Sequence, residues 1–473
     1  MVAILPIDFS KSVRHHPRVS HDPAPTDAAQ DAPPDTAPVA APDGRRAVAP
    51  DVASARRRSL AFHRNFRQLW IGDALGQLGA QLTLIALPVY AVETLHATEL
   101  EMGVLTAAET IAFPAIGLLV GAWVDRMNKR RTLIVADVVR AAALAVVVVA
   151  GLTGHGSVPL LVGVAVVMSC ATVFFDVAHQ SYVPGLVGLE HIAEGNAKLQ
   201  ATQSVAIAVG PGLGGQLLRV VTAPALVGVT VVTYLVSALF VGRIRHDEDL
   251  PPRAPDRSLR REIAEGLRFV VGQPLLRRIV ATTGISNLFG SVTGALMVIY
   301  ALRVLGLEEA GLGAVLSAGA VGGVVGALLA DRVTRAVGEG RTIALAAVGW
   351  VPAFALTPLA LPLSEAGVPV AAVLIVGQAV ATFCIVVYNV AQVSFRQRLC
   401  PPALLGRMNA SVRFIVWGGM PLGGLLGGVL GTHLGVVPTL WVAVAGTALA
   451  VPPVALSPLA RLRDLPTRAD AAS

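Results

Sequence analysis

The chain has 473 residues, 54% of them hydrophobic and only 14% charged, with a mean hydropathy of +0.67 and a formal net charge of +7. Soluble domains carry roughly a quarter charged residues, so this balance excludes an ordinary soluble enzyme. Apolar residues come in long blocks, such as ALAVVVVAGL and VGVTVVTYLVSALFVG, with neither period 2 nor a polar face at period 3.6. Helices that are apolar all round lie in lipid or in a membrane bundle, and an all-α, polytopic membrane protein is expected.

The first residues differ in kind. DPAPTDAAQDAPPDTAPVAAPDGRR is rich in Ala, Pro and Asp and cannot bury enough surface to offset its ordering entropy. Residues 1–63 therefore read as a disordered cytoplasmic arm. MVAILPIDF has too short an apolar core for a signal peptide, and a start assigned too far upstream explains the segment equally well.

From there, twelve runs of about 20 apolar residues follow, the length that crosses a roughly 30 Å hydrocarbon core. They cover 69–94, 102–124, 132–152, 158–183, 196–218, 222–242, 276–302, 310–330, 342–363, 368–394, 410–431 and 436–457. Residues 64–242 make one six-helix half and 276–460 the other. Between them lies a charged linker, 243–275, whose end has the pattern of a short amphipathic surface helix; 461–473 form a tail. Both termini and the loops after even-numbered spans share one side, which collects twenty-eight Lys and Arg residues, while Arg219 and Arg303 alone lie opposite. The positive-inside rule then puts both termini in the cytoplasm. Topology and anionic lipid account for the high basic charge better than nucleic acid, for which no binding module is present.

The two halves echo each other. GAWVDRMNKRR (Gly121–Arg131) and ALLADRVTRAVGEGR (Ala327–Arg341) both place Asp-Arg after a small-residue helix end, at Asp125-Arg126 and Asp331-Arg332. FDVAHQSY (Phe175–Tyr182) and YNVAQVSF (Tyr388–Phe395) match at a constant offset of 213 residues, and GPGLGG in span five is echoed by MPLGG in span eleven. Two six-helix halves joined by a linker are the architecture of alternating-access transporters.

The chain resembles the major facilitator superfamily over roughly residues 64–460, and more narrowly its bacterial branch of macrolide, multidrug and siderophore exporters. FRQLWIGDALGQLGAQLTLIALPVYA (Phe66–Ala91) is similar to that branch's first helix. GAWVDRMNKRR resembles the superfamily's G-x-x-x-D-R-x-x-R-R signature, and VGPGLGG resembles its antiporter motif. Ala206 and Thr202 stand where the longer form of that motif has further glycines. The resemblance implies an exporter of amphipathic small molecules, drugs or secreted metabolites, working by alternating access with protons as the counter-ion. A proton-coupled or facilitative importer of a small metabolite is the alternative on the same fold. A monomer in the cell membrane without cofactor or metal is expected.

By this resemblance Asp125, Arg126, Arg130, Asp331 and Arg332 form a gate; a topology-setting charge cluster would explain Lys129 to Arg131 but not the repeated Asp-Arg. Ionisable groups at membrane depth cost several kcal/mol unless paired or hydrated, so Glu109, Asp73 and Asp176 are the proton-coupling candidates. Glu109, on the second helix, serves equally well as an interhelical hydrogen-bonding group. Asp137 and Arg140, at i and i+3, read as neutralising each other, and Arg413 as a snorkelling residue or a partner for the gate acids. Gln77, Gln81, Asn287, Gln378 and Asn389 are cavity-lining candidates, a sparse set that suits bulky apolar compounds better than sugars. Pro211, with Gly210, Gly214 and Gly215, reads as a bent packing hinge between halves and not as a phosphate loop.

Rival classes lack their residues. A nucleotide-driven pump needs Gly-Lys-Ser/Thr, and none of Lys11, Lys129 and Lys198 follows a glycine. HExxH and GxSxG are absent, and Cys170, Cys384 and Cys400 form no CxxC pair.

Overall fold

The computed structural model describes residue 60 and residues 63–124, 126–188, 191–246, 248, 259–401 and 404–462; the side chains of 122 and 259–263 are not described. The N-terminal arm, part of the linker, most of the tail and Asp125 lie outside these residues. Among the described residues there is no strand.

The first half comprises α1 (Arg64–Val89), α2 (Glu99–Thr110), α3 (Ala112–Val124), α4 (Lys129–Leu152), α5 (Val158–Val187), α6 (Ile192–Leu217) and α7 (Ala223–Gly242). The end of the linker is helical, α8 (Leu259–Gly272). The second half comprises α9 (Pro274–Ile299), α10 (Glu309–Val337), α11 (Glu339–Glu365), α12 (Val370–Leu399), α13 (Leu405–Leu434) and α14 (Val436–Leu449), the last continued by a short turn, α15 (Pro452–Ala455). Eleven of the spans are long and apolar enough to cross a membrane on composition alone. The twelfth, α6, is diluted by Glu194, Asn196, Lys198, Gln200 and Gln203 in its first half, yet has 26 residues, about 39 Å at 1.5 Å per residue.

Local sequence explains the helix ends. Thr98 and Glu101 form a capping box at the start of α2, the Thr98 N–H donating to Glu101 at 2.8 Å. Asn128 caps α4 by accepting from the Arg131 N–H at 2.8 Å. The second span, read from sequence as one helix, is interrupted at Ile111. Pro114 has no N–H to donate to the Thr110 carbonyl four residues back, and its ring crowds that carbonyl. Across the break, the Ala112 N–H donates to Ser169 Oγ of α5 at 3.3 Å.

The halves repeat structurally. α1 and α9 each run 26 residues into a five-residue π segment, Tyr90–Thr94 and Tyr300–Val304. α5 and α12 are each 30 residues long. The contacts between halves follow the same symmetry: α6 lies between α1 and α10, and α13 between α9 and α2. On α6, a Cβ at Gly210 would collide with Gln81 and one at Gly214 would stand 2.6 Å from Ile85 of α1. Gly212 and Gly215 turn the other way: the Gly212 N–H donates to Ser317 Oγ of α10 at 2.8 Å, and a Cβ at Gly215 would lie 2.5 Å from the Glu309 carbonyl oxygen. On α13, Gly423 and Gly427 face α9, while Gly424 and Gly428 face Gly103 of α2.

These crossings lie at the end of the bundle away from the basic loops. Polar contacts reinforce them there. Arg303 donates to the Ala97 and Val92 carbonyls at 2.8 and 2.5 Å, and Arg219 pairs with Glu308 at 3.3 Å, both across the two halves. The two basic residues that lie opposite the other twenty-eight thus both join the halves.

A side chain on Gly103 would meet backbone, 2.6 Å from both the Gly424 oxygen and the Gly428 Cα, which cannot yield. Overpacking of this kind costs roughly 1–3 kcal/mol, a population shift of about five- to 150-fold. Gly103→Val is therefore expected to cut transport at least about fivefold on that scale. Gly117→Ala, which opens onto free space, is expected to leave transport rate and melting temperature unchanged.

Candidate functional site: a buried charge cluster in the first half

Three helices of the first half bring ionisable groups together at membrane depth. α1 contributes Asp73, α4 contributes Asp137 and Arg140, and α5 contributes Asp176 and His179. Asp73, Asp137 and Arg140 are buried, at 5%, 0% and 6% exposure, while Asp176 and His179 are half-buried. His179 Nε2 stands 3.6 Å from Asp73 Oδ1, tying α5 to α1. Arg140 pairs with Asp137 one turn back, and its guanidinium also lies 4.2 Å from the Phe175 ring centre and 4.4 Å from that of Tyr234. The aromatic faces hold a cation that water cannot reach. Arg140 also acts electrostatically on both Asp73 and Asp176. It is the hub of the cluster, and the pairing with Asp137 is one of its several interactions. Its Nε–H and the second Asp137 carboxylate oxygen have no protein hydrogen-bond partner among the described residues, so the cluster retains capacity for another polar group.

The equivalent positions of the other half are neutral, although Arg396 of α12 is itself buried, at 6% exposure. Thr283, like Asp73 the tenth residue of its helix, shares a 2.9 Å hydrogen bond with Tyr388 of α12. At the 213-residue offset, Asn389 and Gln392 replace Asp176 and His179, and the Gln392 amide donates to Asn389 at 3.2 Å. Asn287, the counterpart of Gln77, donates to the Val416 carbonyl of α13 at 3.0 Å. One charged residue from the second half does reach over: Arg413 of α13, its guanidinium 4.6 Å from the Trp417 ring centre, acts on Asp176. Trp417 in turn meets Phe113 of α3 edge-on, with ring centres 4.6 Å apart.

The remaining candidates are placed as follows. Glu109 is half-buried on α2 directly before the Ile111 break, apart from the cluster. Gln77 and Gln81 are half-buried on α1, and Gln81 packs against Gly210. Gln378 packs against Gly319 of α10. Arg126 is exposed. Arg130 stays within the first half, donating to Val241 at 3.2 Å and to Gly242 at the end of α7. Glu248 accepts from the N–H groups of Lys129 and Arg130 at 2.8 and 2.7 Å, where the helix dipole favours a carboxylate. Asp331 pairs with Arg335 of its own helix at 3.1 Å, an exposed pair, and Arg332 is exposed. Among the described residues, no three His, Cys, Asp or Glu side chains gather to hold a metal ion.

The family model for the Major Facilitator Superfamily matches residues 69–399. The chain belongs to the major facilitator superfamily. It is 27% identical over 406 residues to the multidrug efflux pump Tap of Mycolicibacterium fortuitum, covering 82% of this chain and 93% of that protein. It is 25% identical over 181 residues to macrolide efflux protein A of Streptococcus pyogenes, covering 38% of this chain and 44% of that protein. Among solved structures, a mutant of the nucleoside transporter NupG superposes with a TM-score of 0.67 at 13% identity, covering 82% of this chain and 98% of that one. As a superfamily member the protein is a multi-pass transporter of the cell membrane and not an enzyme.

Sequence reasoning missed the hub. Asp73 and Asp176 stood out as isolated membrane acids, but the Asp137–Arg140 spacing pointed to local neutralisation and concealed the reach of the guanidinium. Only the 213-residue repeat hinted that α5 and α12 carry a charged and a neutral version of one pattern.

Removing one partner of a buried ion pair typically costs about 3–5 kcal/mol, because the other charge is left uncompensated. Arg140→Gln is expected to lower unfolding stability by about that amount. Asp137→Asn added to it is expected to recover most of the loss, as read by thermal unfolding in detergent.

Proposed function

We propose that this transporter exports amphipathic small molecules, drugs or secreted metabolites, by alternating access in exchange for protons. The observation that carries the reading is the Asp73–His179–Asp176–Arg140 cluster in the first half, with neutral Thr283, Asn389 and Gln392 at the positions of Asp73, Asp176 and His179 in the second. Charge at membrane depth is costly and is retained where it does work. A carboxylate close to both a histidine and an arginine can exchange a proton for a protein cation as the halves rock. The efflux pumps among the relatives support the outward direction. Few polar groups besides the cluster are available for a substrate, which suits bulky, largely apolar compounds.

In this reading the basic loops face the cytoplasm by the positive-inside rule. The glycine crossings and the Arg303 and Arg219 contacts then seal the outer face, and the molecule is open inward. Rocking must break that seal and close the basic end. There Asp125, Arg126, Arg130, Asp331 and Arg332 are proposed to act as the gate, and Arg413 to approach Asp176. Glu109 serves as a second proton site or as a support for the broken second span. Pro211 and its flanking glycines are proposed as the hinge surface on which α6 moves against α10.

Asp73→Asn and Asp176→Asn, made separately, are expected to abolish uncoupler-sensitive efflux of an amphipathic dye from cells while leaving membrane expression intact. Efflux that survives both changes and ignores the uncoupler would overturn proton coupling. Arg303→Ala removes donors to two carbonyls across the seal, and hydrogen bonds from charged groups are worth roughly 1.5–3 kcal/mol. It is expected to raise labelling of a cysteine placed at Ser317 by an impermeant thiol reagent from the outside.

A further inference from the structure

At the basic end, where α1 begins and α7 ends, the surface is concave. A cavity of about 660 Å³ is lined by Arg64, Arg130, Gly242, Arg243, Ile244, Arg245 and His246. A smaller one of about 360 Å³ adjoins it, sharing Arg64, Arg243 and Arg245 and adding His63 and Asn65. Among the described residues these walls carry four arginines and two histidines and no carboxylate. The frame is built. Asn65 donates to the Arg245 carbonyl at 2.9 Å and accepts from its N–H at 3.4 Å, pinning the 243–246 run to the start of α1. Arg130 is held by the Val241 and Gly242 carbonyls. Glu248, the described acid next along the chain, is taken up by the N–H groups that open α4. Guanidinium groups that line one concave surface repel one another unless an anion sits among them.

The face below the cavity indicates what kind of anion. Val232, Leu235 and Leu239 of α7 are exposed by 58%, 48% and 53%. With Arg243 they are spaced three, four and four residues apart, so they form one stripe along the helix. That stripe is apolar over two turns and ends in a cation at the end of the span, the pattern of a surface that meets acyl chains and then a headgroup. Basic pockets at the cytoplasmic ends of membrane helices suit anionic lipid headgroups.

We propose that this cavity binds the phosphate headgroup of an anionic phospholipid, with the acyl chains lying along Val232, Leu235 and Leu239. The site is separate from the charge cluster and does not depend on the direction of transport. Its position joins the starts of α1 and α4 to the end of α7, so the lipid clamps the three at the membrane surface.

The test uses the purified full chain, stripped of lipid in a neutral detergent and titrated with phosphatidylglycerol or phosphatidylcholine of identical acyl chains. Binding is followed by native mass spectrometry. A cation near the surface contributes on the order of a fivefold preference for anionic lipid, so phosphatidylglycerol is expected to bind at least about tenfold more tightly than phosphatidylcholine. Arg243→Gln with Arg245→Gln is expected to erase most of that preference, and Arg277→Gln with Arg278→Gln, outside the cavity, to preserve it. Equal binding of the two lipids by the unmodified protein would overturn the proposal without recourse to any variant. So would equal loss in both variant pairs, or no loss in the first. Displacement of phosphatidylglycerol by an equal concentration of free glycerol phosphate would make this an anion site with no lipid specificity, and would overturn it too.

Discussion

Where α2 crosses α13, the backbone of one helix occupies the space in which a side chain of the other would have to stand. A Cβ on Gly103 would lie 2.6 Å from the Gly428 Cα, and on the opposite side of the molecule one on Gly313 of α10 would lie 2.5 Å from the Pro211 carbonyl oxygen. Lipid supplies no hydrophobic drive between helices, so their association rests on close packing and hydrogen bonds. These two crossings are where the six-helix halves come closest, and the rest of the arrangement follows from them. They draw the ends of α1 and α9 together and place Arg303 within reach of carbonyls on the partner half.

The scaffold is symmetric in shape and asymmetric in charge. Equivalent positions on α1 and α9, and on α5 and α12, carry Asp73, Asp176 and His179 in one half and Thr283, Asn389 and Gln392 in the other. Burying charge at these positions carries a desolvation cost. Concentrating it around Arg140, between two aromatic rings, allows the cluster to stay buried while its members remain close enough to influence one another. Arg413 is the point at which the second half meets that chemistry, and its seat on Trp417, which touches Phe113, ties the same contact to the broken second span.

Several of these features were legible in the chain, and where legibility failed the reasons are physical. The spans, their number and the internal repeat follow from run length and order, because in lipid each backbone polar group must be satisfied within its own helix. Asp73, Asp176 and Glu109 stood out because any acid at that depth does. The break in the second span was written in Pro114, but hydropathy over about 20 residues averages across a single missing hydrogen bond. Arg140 was harder: its spacing from Asp137 offers a local partner, and no local pattern records that Phe175 and Tyr234 close over it. Arg219 and Arg303 read only as exceptions to the charge bias, although both turn out to join the halves.

Sequence alone therefore determined the solvent, the number of crossings, the gathering of basic residues in alternate loops and the family to which the chain belongs. Each depends on composition summed over a segment or on motifs of fixed spacing. The tertiary structure decided which acids form one site, which glycines face their own half and which face the other, and that a basic cavity stands above an apolar stripe. These are questions of which helix faces are turned toward each other. A helix apolar on every side leaves that rotation open until its neighbours are packed around it.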